Sequence, residues 1–479
     1  MPLNRAGLVI ATIFGLLFGA TLFILTPSQT FILLTGIALA IVILRRPLWG
    51  LLIFAFVATL LPYSTVRLGI RTTISEAVLA LTWAGVLWQA LLGRYRGFLT
   101  RFPTERMLVW LMLFSTLPFL AGLWTIAAET AATGVINWIR WLLSLSSLFL
   151  VALLLRDERD CERFVVALLL GTLLMLLVSI AMFLQSRNAT SMIPLLTKLK
   201  YAHPEALLDI FSANYTRMAS PWVHPNLTGG ALALIIPVAL FFGWAQSGWR
   251  RTLGLSVALL GCAGLLFSIS RGAILALAIV LLWLYRKQLP YSGRVIILGA
   301  ALTLILTLSY PPLQDRLLSA FSPSNPSTEM RMDEYRLFPE AMKRYPLGIG
   351  FKVDPPVPGS GLLGISNLWL NFIYKIGIPG MLLFVAVTVC WWREIRPLGK
   401  LPVVTRRNAL WLGSLCGVAA ALLTGLFDHY FSFTQVLIAL FWLLTGLSLH
   451  MARLHPDIRN PVPPLSPTPN GEPSHETPH

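Results

Sequence analysis

The chain has 479 residues, of which 56% are hydrophobic and only 12% are charged, and its mean hydropathy is +0.74. Soluble domains carry about 25% charged residues, so this composition excludes an ordinary soluble protein and predicts an all-α polytopic membrane protein. The net charge of +17 does not indicate a nucleic-acid partner, because most basic residues lie between apolar segments, where they set the orientation in the membrane.

Apolar segments recur along nearly the whole chain. A span needs about 20 residues, and on this basis we expect 12 to 14 transmembrane helices. The first segment lacks a small-residue cleavage site and is followed at once by another, so it is interpreted as a span and not as a signal peptide. The fourteen candidates lie near residues 7–26, 30–44, 48–62, 74–93, 107–124, 135–155, 163–184, 228–247, 252–269, 272–286, 292–310, 367–391, 407–426 and 430–450.

Basic residues predict the orientation of these spans. With both termini in the cytoplasm, the inside connections hold Arg45, Arg46 and the run "RYRGFLTRFPTER", whereas the short outside turns hold only Arg67, Arg71 and Arg271. This bias is typical of a multi-pass membrane protein.

Two long outside loops divide the chain. Residues 1–184 form an N-terminal set of transmembrane helices, and residues 185–453 form a membrane core that contains the extracytoplasmic loops 185–227 and 311–366. The tail, 454–479, is rich in proline and polar residues, so it is expected to be disordered and cytoplasmic.

One charge interrupts the apolar run from Thr252 to Tyr285. As a single helix these 34 residues would be about 51 Å long, against a bilayer core of about 30 Å. The run is therefore interpreted as two spans folded at "SISRG", with Gly272 supporting the break and Arg271 at the outer tip. Arg271 is then either a snorkelling residue or a ligand for an anion such as a lipid phosphate.

The outside loops hold polar motifs next to the spans. In "ASPWVHPNLTGG", Asn226 can cap the following helix, His224 can hydrogen-bond a headgroup or sugar, and Arg217 lies just upstream. In "STEMRMDEYRLFPEAMKRYPLGIGF", Arg331 and Tyr335 lie one helical turn apart, with a helical break or kink expected at the proline of "LFPEA". This segment is alternatively an amphipathic helix lying on the membrane.

Two more polar motifs lie at the outer ends of the last spans. "GISNLWLNFIYKIGIPGMLLFV" brings Ser366 and Asn367 to the start of one span. "GLFDHYFSF" makes the last outside turn, where Asp428 beside His429 would suit proton transfer or form a simple capped turn.

These motifs, in this order, resemble the O-antigen ligase and O-antigen polymerase superfamily of bacterial membrane glycosyltransferases. The resemblance covers roughly residues 210–450 and rests on "HPNLTGG", "SRGAILAL", "R…Y…PLGIGF" and "SNLWLNFIYKIGIPG". It implies a GT-C-like membrane fold and transfer of a glycan from undecaprenyl diphosphate to a lipid or glycan acceptor at the outer face of the cytoplasmic (inner) membrane. It implies no nucleotide, metal or other cofactor, and the partners are the two substrates and membrane lipids.

The resemblance also implies roles for residues. Arg271 and Arg331, with Arg217 nearby, would bind the lipid diphosphate, which agrees with the bidentate phosphate binding of guanidinium groups. The expected contacts to the acceptor or glycan come from three further side chains, Asn226, Tyr335 and Asn367.

One catalytic position departs from the family pattern. Members often have His-Asn where this chain has Ser366-Asn367, and serine cannot act as a base near neutral pH. The remaining candidates for the base are His224, His429 and the carboxylates of Asp428 and Glu334. A polysaccharide polymerase, a solute transporter and a non-catalytic glycan-binding relative remain the alternative functions.

Overall fold

The computed structural model describes residues 26–68, 70–94, 102–125, 128–202, 217–311, 326–352, 354–401 and 403–459, with a few isolated positions between these ranges. The first predicted span, 7–26, and most of the predicted tail, 454–479, lie outside the described residues.

The described residues are mainly helical. A short antiparallel hairpin, β1 (Thr65–Leu68) and β2 (Ile70–Thr73), lies between the second and third helices. The helices are α1 (Pro27–Arg45), α2 (Pro47–Leu60), α3 (Ile74–Leu91), α4 (Pro103–Phe114), α5 (Thr116–Thr125), α6 (Ala128–Leu154), α7 (Glu158–Ser186), α8 (Ile193–Lys198), α9 (Pro225–Ala245), α10 (Gly248–Ser268), α11 (Arg271–Arg286), α12 (Ser292–Ser309), α13 (Pro326–Arg344), α14 (Leu368–Ile395), α15 (Arg406–Thr424), α16 (Tyr430–Phe433) and α17 (Leu437–Leu454).

The structure confirms an all-α polytopic membrane protein. Within the described residues, ten helical segments are long and apolar enough to cross a bilayer, with α4 and α5 together forming one of them. Each coincides with one of the eleven longer predicted segments, of which 7–26 lies outside the described residues. The three short candidates, 30–44, 48–62 and 272–286, coincide with α1, α2 and α11, which have 19, 14 and 16 residues.

Helix α9 forms the centre of the bundle, and 89% of its most apolar stretch is buried inside the molecule. It packs against α10 and α15 through glycines that let the backbones approach closely. A Cβ on Gly254 would lie 2.5 Å from the Cα atom of Gly243, and a Cβ on Gly417 would lie 2.2 Å from the Leu234 carbonyl oxygen. Helix α12, by contrast, is only 6% buried, so most of its surface faces lipid.

Helix α14 is broken near its start, and a loop fills the break. The chain leaves helical geometry at Gly377, whose φ of +72° is a left-handed conformation that glycine adopts without steric penalty. The break removes the usual donor of the Tyr374 carbonyl, and Pro379 offers no N–H to the Lys375 carbonyl. An unpaired carbonyl costs several kcal/mol in hydrocarbon. The backbone N–H groups of Ile349 and Gly350 donate to these two carbonyls, each at 2.9 Å.

We call residues 346–351 the docking loop. It lies between α14 and α5, and its glycines allow both contacts. A Cβ on Gly348 would lie 2.5 Å from the Lys375 carbonyl carbon and oxygen, and a Cβ on Gly350 would lie 2.5 Å from the Pro118 carbonyl oxygen. The "PLGIGF" and "KIGIPG" segments therefore form one structural unit.

An ionic cluster joins three helices at the end of the bundle opposite the docking loop. The Arg453 guanidinium donates to Glu105 at 2.6 Å and to Glu394 at 2.8 Å, and so joins α17 to α4 and α14. Glu394 also accepts hydrogen bonds from the backbone N–H and hydroxyl of Thr104. Because each charge has an opposite partner, the cluster is tolerated in a partly buried position.

Replacing Gly348 with alanine is expected to destabilise the protein by disrupting the docking loop. The left-handed φ of +87° costs alanine about 1–2 kcal/mol, and the collision with the Lys375 carbonyl adds roughly 1–3 kcal/mol. Gly359→Ala is the matched control, because its φ is +75° but no atom lies within 4 Å of the added Cβ.

Thermal unfolding in detergent, followed by tryptophan fluorescence, measures both effects. We expect the midpoint of Gly348→Ala to fall at least twice as far as that of Gly359→Ala. Equal decreases would contradict the proposed role of close packing at the break.

Candidate functional site

The starts of α9, α11 and α14 meet the turn that follows α15, and we call this region the polar end. The Leu368 backbone N–H, at the start of α14, donates to the Gly425 carbonyl in the turn at 2.6 Å. A Cβ on Gly229 in α9 would lie 2.3 Å from the Ser270 side chain before α11. These contacts bring motifs that are far apart in sequence to one end of the bundle.

The predicted break between α10 and α11 is confirmed, but Gly272 does not make it. The chain turns at Ile269, which has a left-handed φ of +52°, and at the extended Ser270, so that Arg271 is the first residue of α11. Gly272 lies inside the first helical turn, where its added Cβ would lie 2.9 Å from the Phe427 side chain. Its small size lets the start of α11 pack against the turn.

Arg217 connects the end of α10 to the start of α9. Its Nε donates to the Ser268 carbonyl at 2.8 Å and its Nη2 donates to the Asn226 side-chain oxygen. The side chain is only 8% exposed. At least two of its donors are therefore engaged within the protein, and its predicted role in diphosphate binding remains a prediction.

His224, and not Asn226, caps α9. The Nδ1 atom of His224 accepts the Asn226 backbone N–H at 3.1 Å, while the Asn226 side chain accepts from Arg217. The predicted capping role of Asn226 is therefore wrong, because its side chain is turned towards the guanidinium. With Nδ1 as acceptor, the proton of the neutral imidazole resides on Nε2.

The surroundings of His224 keep it neutral. Burial, together with the positive charge of Arg217 and the nearby His429, lowers the pKa of His224 to about 4. At neutral pH, His224 is a hydrogen-bond donor through Nε2 and is poorly suited to be a base.

An acid–base group lies in the turn before α16. The Asp428 carboxylate accepts the His429 backbone N–H at 3.0 Å, and its Oδ1 atom lies 3.6 Å from the His429 Nδ1 atom. Burial raises the pKa of Asp428, while His429 and Arg331 oppose that effect. Burial and the adjacent Asp428 also raise the pKa of Tyr430 well above its ordinary value, so its hydroxyl stays protonated.

Ser366 holds a carboxylate in place. Both oxygens of Glu334 accept hydrogen bonds from Ser366, one from the backbone N–H at 2.6 Å and one from the hydroxyl at 3.1 Å. Asn367 caps α14 by accepting the N–H groups of Trp369 and Leu370, and its amide donates to the Leu426 carbonyl at 3.0 Å. Its side chain therefore positions the start of α14 against the turn.

Helix α13 carries Arg331 and Tyr335 one turn apart, as predicted, and bonds to the start of α14 through Glu334. It continues through Pro339 to Arg344, so no new helix begins at the proline. Arg331 is close enough to lower the pKa of Asp428.

All nine predicted site residues therefore lie at or beside the polar end. The sequence prediction missed Tyr430, whose hydroxyl lies among Asp428 and Asn226. It also missed the glycine-dependent docking of "PLGIGF" onto α14. Among the described residues, no group of three or more His, Cys, Asp or Glu side chains is arranged to hold a metal ion.

These features define a multi-pass helical membrane protein with arginines and acid–base groups gathered at one end of its bundle. The sequence profile of the O-antigen ligase family matches residues 255–385, which extend from α10 to α14 and include Arg271, Arg331, Ser366 and Asn367. The match bears out, over these residues, the predicted resemblance to the O-antigen ligase superfamily. A search of curated proteins gave no match.

Acid is expected to destabilise the protein partly through His224. Its pKa is about 4 in the folded state and 6.5 ordinarily, so the unfolded chain binds more protons between these values. Stability from this group is complete above pH 6.5 and is lost as pH falls towards 4. Between about pH 7.5 and about pH 5 the loss is on the order of 2 kcal/mol.

The matched variant is His224→Asn, which keeps a capping side chain but does not titrate. Thermal unfolding at the two pH values should show a smaller acid-induced decrease for His224→Asn than for the unchanged protein. Identical decreases would contradict the buried, neutral state of His224.

Proposed function

We propose that the chain is an O-antigen ligase-like glycosyltransferase, which moves a glycan from undecaprenyl diphosphate to an acceptor at the outer face of the cytoplasmic membrane. The proposal rests chiefly on one observation. Arg331 of α13 lies near the turn that contains Asp428 and His429. Helix α11 begins with Arg271 at the same end of the bundle. The predicted orientation, with both termini in the cytoplasm, puts this end outside.

Arg271 and Arg331 are proposed to bind the lipid diphosphate. In the transfer, the bond between the anomeric carbon and a diphosphate oxygen breaks, so negative charge grows on the leaving group. Guanidinium groups and a helix N-terminus both favour a phosphate anion, and Arg271 combines the two as the first residue of α11. Such stabilisation of developing charge is usually a large part of catalysis.

His429 is proposed as the base that takes the proton of the acceptor hydroxyl. Its Nδ1 faces Asp428, which would stabilise the imidazolium, and its Nε2 remains available on the opposite side of the ring. The acceptor oxygen then bonds to the anomeric carbon, and the lipid diphosphate leaves.

Glu334 is the second candidate for the base. Ser366 stands where the family often has histidine, and it binds the Glu334 carboxylate directly. The carboxylate is thus held beside the position where an imidazole would lie in other members.

Arg271→Ala and Arg331→Ala are each expected to reduce glycan transfer by about 100-fold or more, because a charge-stabilising donor is lost. Purified protein would be mixed with an undecaprenyl-diphosphate oligosaccharide and a membrane extract as acceptor source, and release of undecaprenyl diphosphate would be measured. The controls are Arg286→Ala, at the other end of α11, and Arg336→Ala, on α13 with its side chain 75% exposed.

Near-normal release by both alanine variants would contradict diphosphate binding by these arginines. No release by the unchanged protein would favour a transporter or a non-catalytic relative. A glycosylated lipid acceptor as the product would indicate a ligase, and a lengthened glycan on undecaprenyl diphosphate would indicate a polymerase.

The same assay distinguishes the two candidate bases. His429→Ala is expected to lower the transfer rate by roughly 100-fold or more, the usual effect of losing a general base. Glu334→Gln keeps the shape of the side chain and should have a smaller effect. The reverse order, with Glu334→Gln the more damaging change, would assign the base to Glu334.

A further inference from the structure

A cavity of about 420 Å³ lies beside the polar end. Its walls come from α6, the end of the docking loop, the first part of α14 and the residues that follow α16. This volume is within the usual range for small-molecule sites, about 300–1,000 Å³. None of the nine predicted site residues lines it.

The cavity contains more positive than negative charge. Arg140, Lys352 and Lys375 all line it, and the Arg140 guanidinium has a carboxylate nearby, that of Glu76 at 3.6 Å. Lys352 is 6% exposed and donates to the Tyr345 hydroxyl at 2.7 Å. In the described part of the chain, neither lysine forms an ion pair.

Tertiary structure brings the two lysines together. Lys375 lies at the break in α14, and the docking loop that bonds to its carbonyl continues directly into Lys352. Placing two ammonium groups, Lys352 buried and Lys375 half-buried, without a carboxylate is unfavourable in a low-dielectric region, and a bound anion would reduce this penalty. The arrangement therefore favours a negatively charged ligand.

The rest of the lining suits a sugar. Trp141, Phe351 and Phe433 give it aromatic walls, and Asn137, Ser144 and Gln435 add neutral hydrogen-bonding groups. The Tyr63 hydroxyl is buried and has no hydrogen-bond partner among the described residues.

The cavity also adjoins the proposed base. Leu363 lines the cavity, and a Cβ on the next residue, Gly364, would lie 3.4 Å from the His429 Nε2 atom. Phe433 and Thr434 in the lining follow His429 within the same short segment. A ligand in this cavity would therefore extend towards His429.

We propose that this cavity binds an acidic sugar of the transferred glycan or its acceptor, with the sugar carboxylate between Lys352 and Lys375. The placement of this subsite beside the reacting groups rests on the proposed function, whereas binding of the sugar does not require transfer to occur. The ligand class is thus a carboxylate-bearing saccharide, and a neutral saccharide should bind weakly.

Calorimetric titration of the full-length protein in detergent tests the proposal. The probes are a galacturonic acid trisaccharide, the same trisaccharide with its carboxyl groups reduced to alcohols, and inorganic phosphate. The unchanged protein should bind the acidic trisaccharide at least about tenfold more tightly than the reduced one, which corresponds to roughly 1.4 kcal/mol. Lys375→Gln and Lys352→Gln should each remove most of this preference.

The matched control is Lys343→Gln, which changes an exposed lysine on α13 and should leave binding unchanged. Lys352 lies in a loop and not in a helix. Lys352→Gln therefore still tests the proposal if Lys375→Gln does not fold. Equal binding of the acidic and reduced trisaccharides would overturn the proposal. Inorganic phosphate that binds as tightly as the acidic trisaccharide would also overturn it, because the site would then recognise any small anion.

Arg271→Ala separates this inference from the proposed function, because that variant should still bind the acidic trisaccharide. Retained binding with no Arg271-dependent release of undecaprenyl diphosphate would reject the transfer mechanism alone. Normal transfer without a carboxylate preference would reject the subsite alone.

Discussion

The need to satisfy two backbone carbonyls in the interior of a membrane protein governs much of this structure. Helix α14 cannot break at Gly377 unless donors reach the carbonyls of Tyr374 and Lys375, and the docking loop supplies them through Ile349 and Gly350. This requirement fixes the position of the docking loop between α5 and α14. It also fixes the end of α13, which leads into the loop, and therefore the position of the polar side chains that α13 carries.

Hydrogen bonds and nearby charges then determine which role each polar residue at the polar end can take. Arg217 and Asn226 bond to each other, and His224 is kept neutral as a cap, so these three mainly hold α9 and α10 in place. Arg271 and Arg331 are on separate elements, α11 and α13, that approach the same turn. The structural roles of His224 and Asn226 thus follow from the hydrogen bonds that their side chains already make.

The sequence predicted the features that depend on local composition. Long apolar segments predicted the spans. The polar residues at the outer ends of those segments predicted the members of the polar end, because segment ends at one membrane face lie at the same end of the bundle. It could not predict which of His224 and Asn226 caps α9, since that depends on where Arg217 lies in space. The break in α14 was missed because hydropathy stays high across "IYKIGIPGMLLFV". Lys352 and Lys375 become neighbours only through the docking loop, so no local pattern connects them.

The broken helix has a consequence for how the protein is made. The docking loop precedes α14 in the chain, but its two N–H groups can reach their carbonyls only when α14 and α5 are both in place. Until then these donors are missing, and even a continuous helix would leave the Lys375 carbonyl unpaired, because Pro379, four residues later, has no N–H. The Lys375 carbonyl can therefore be satisfied only by a donor from outside α14. The final shape of the bundle is thus set after insertion, when the segments outside the membrane fold back onto it.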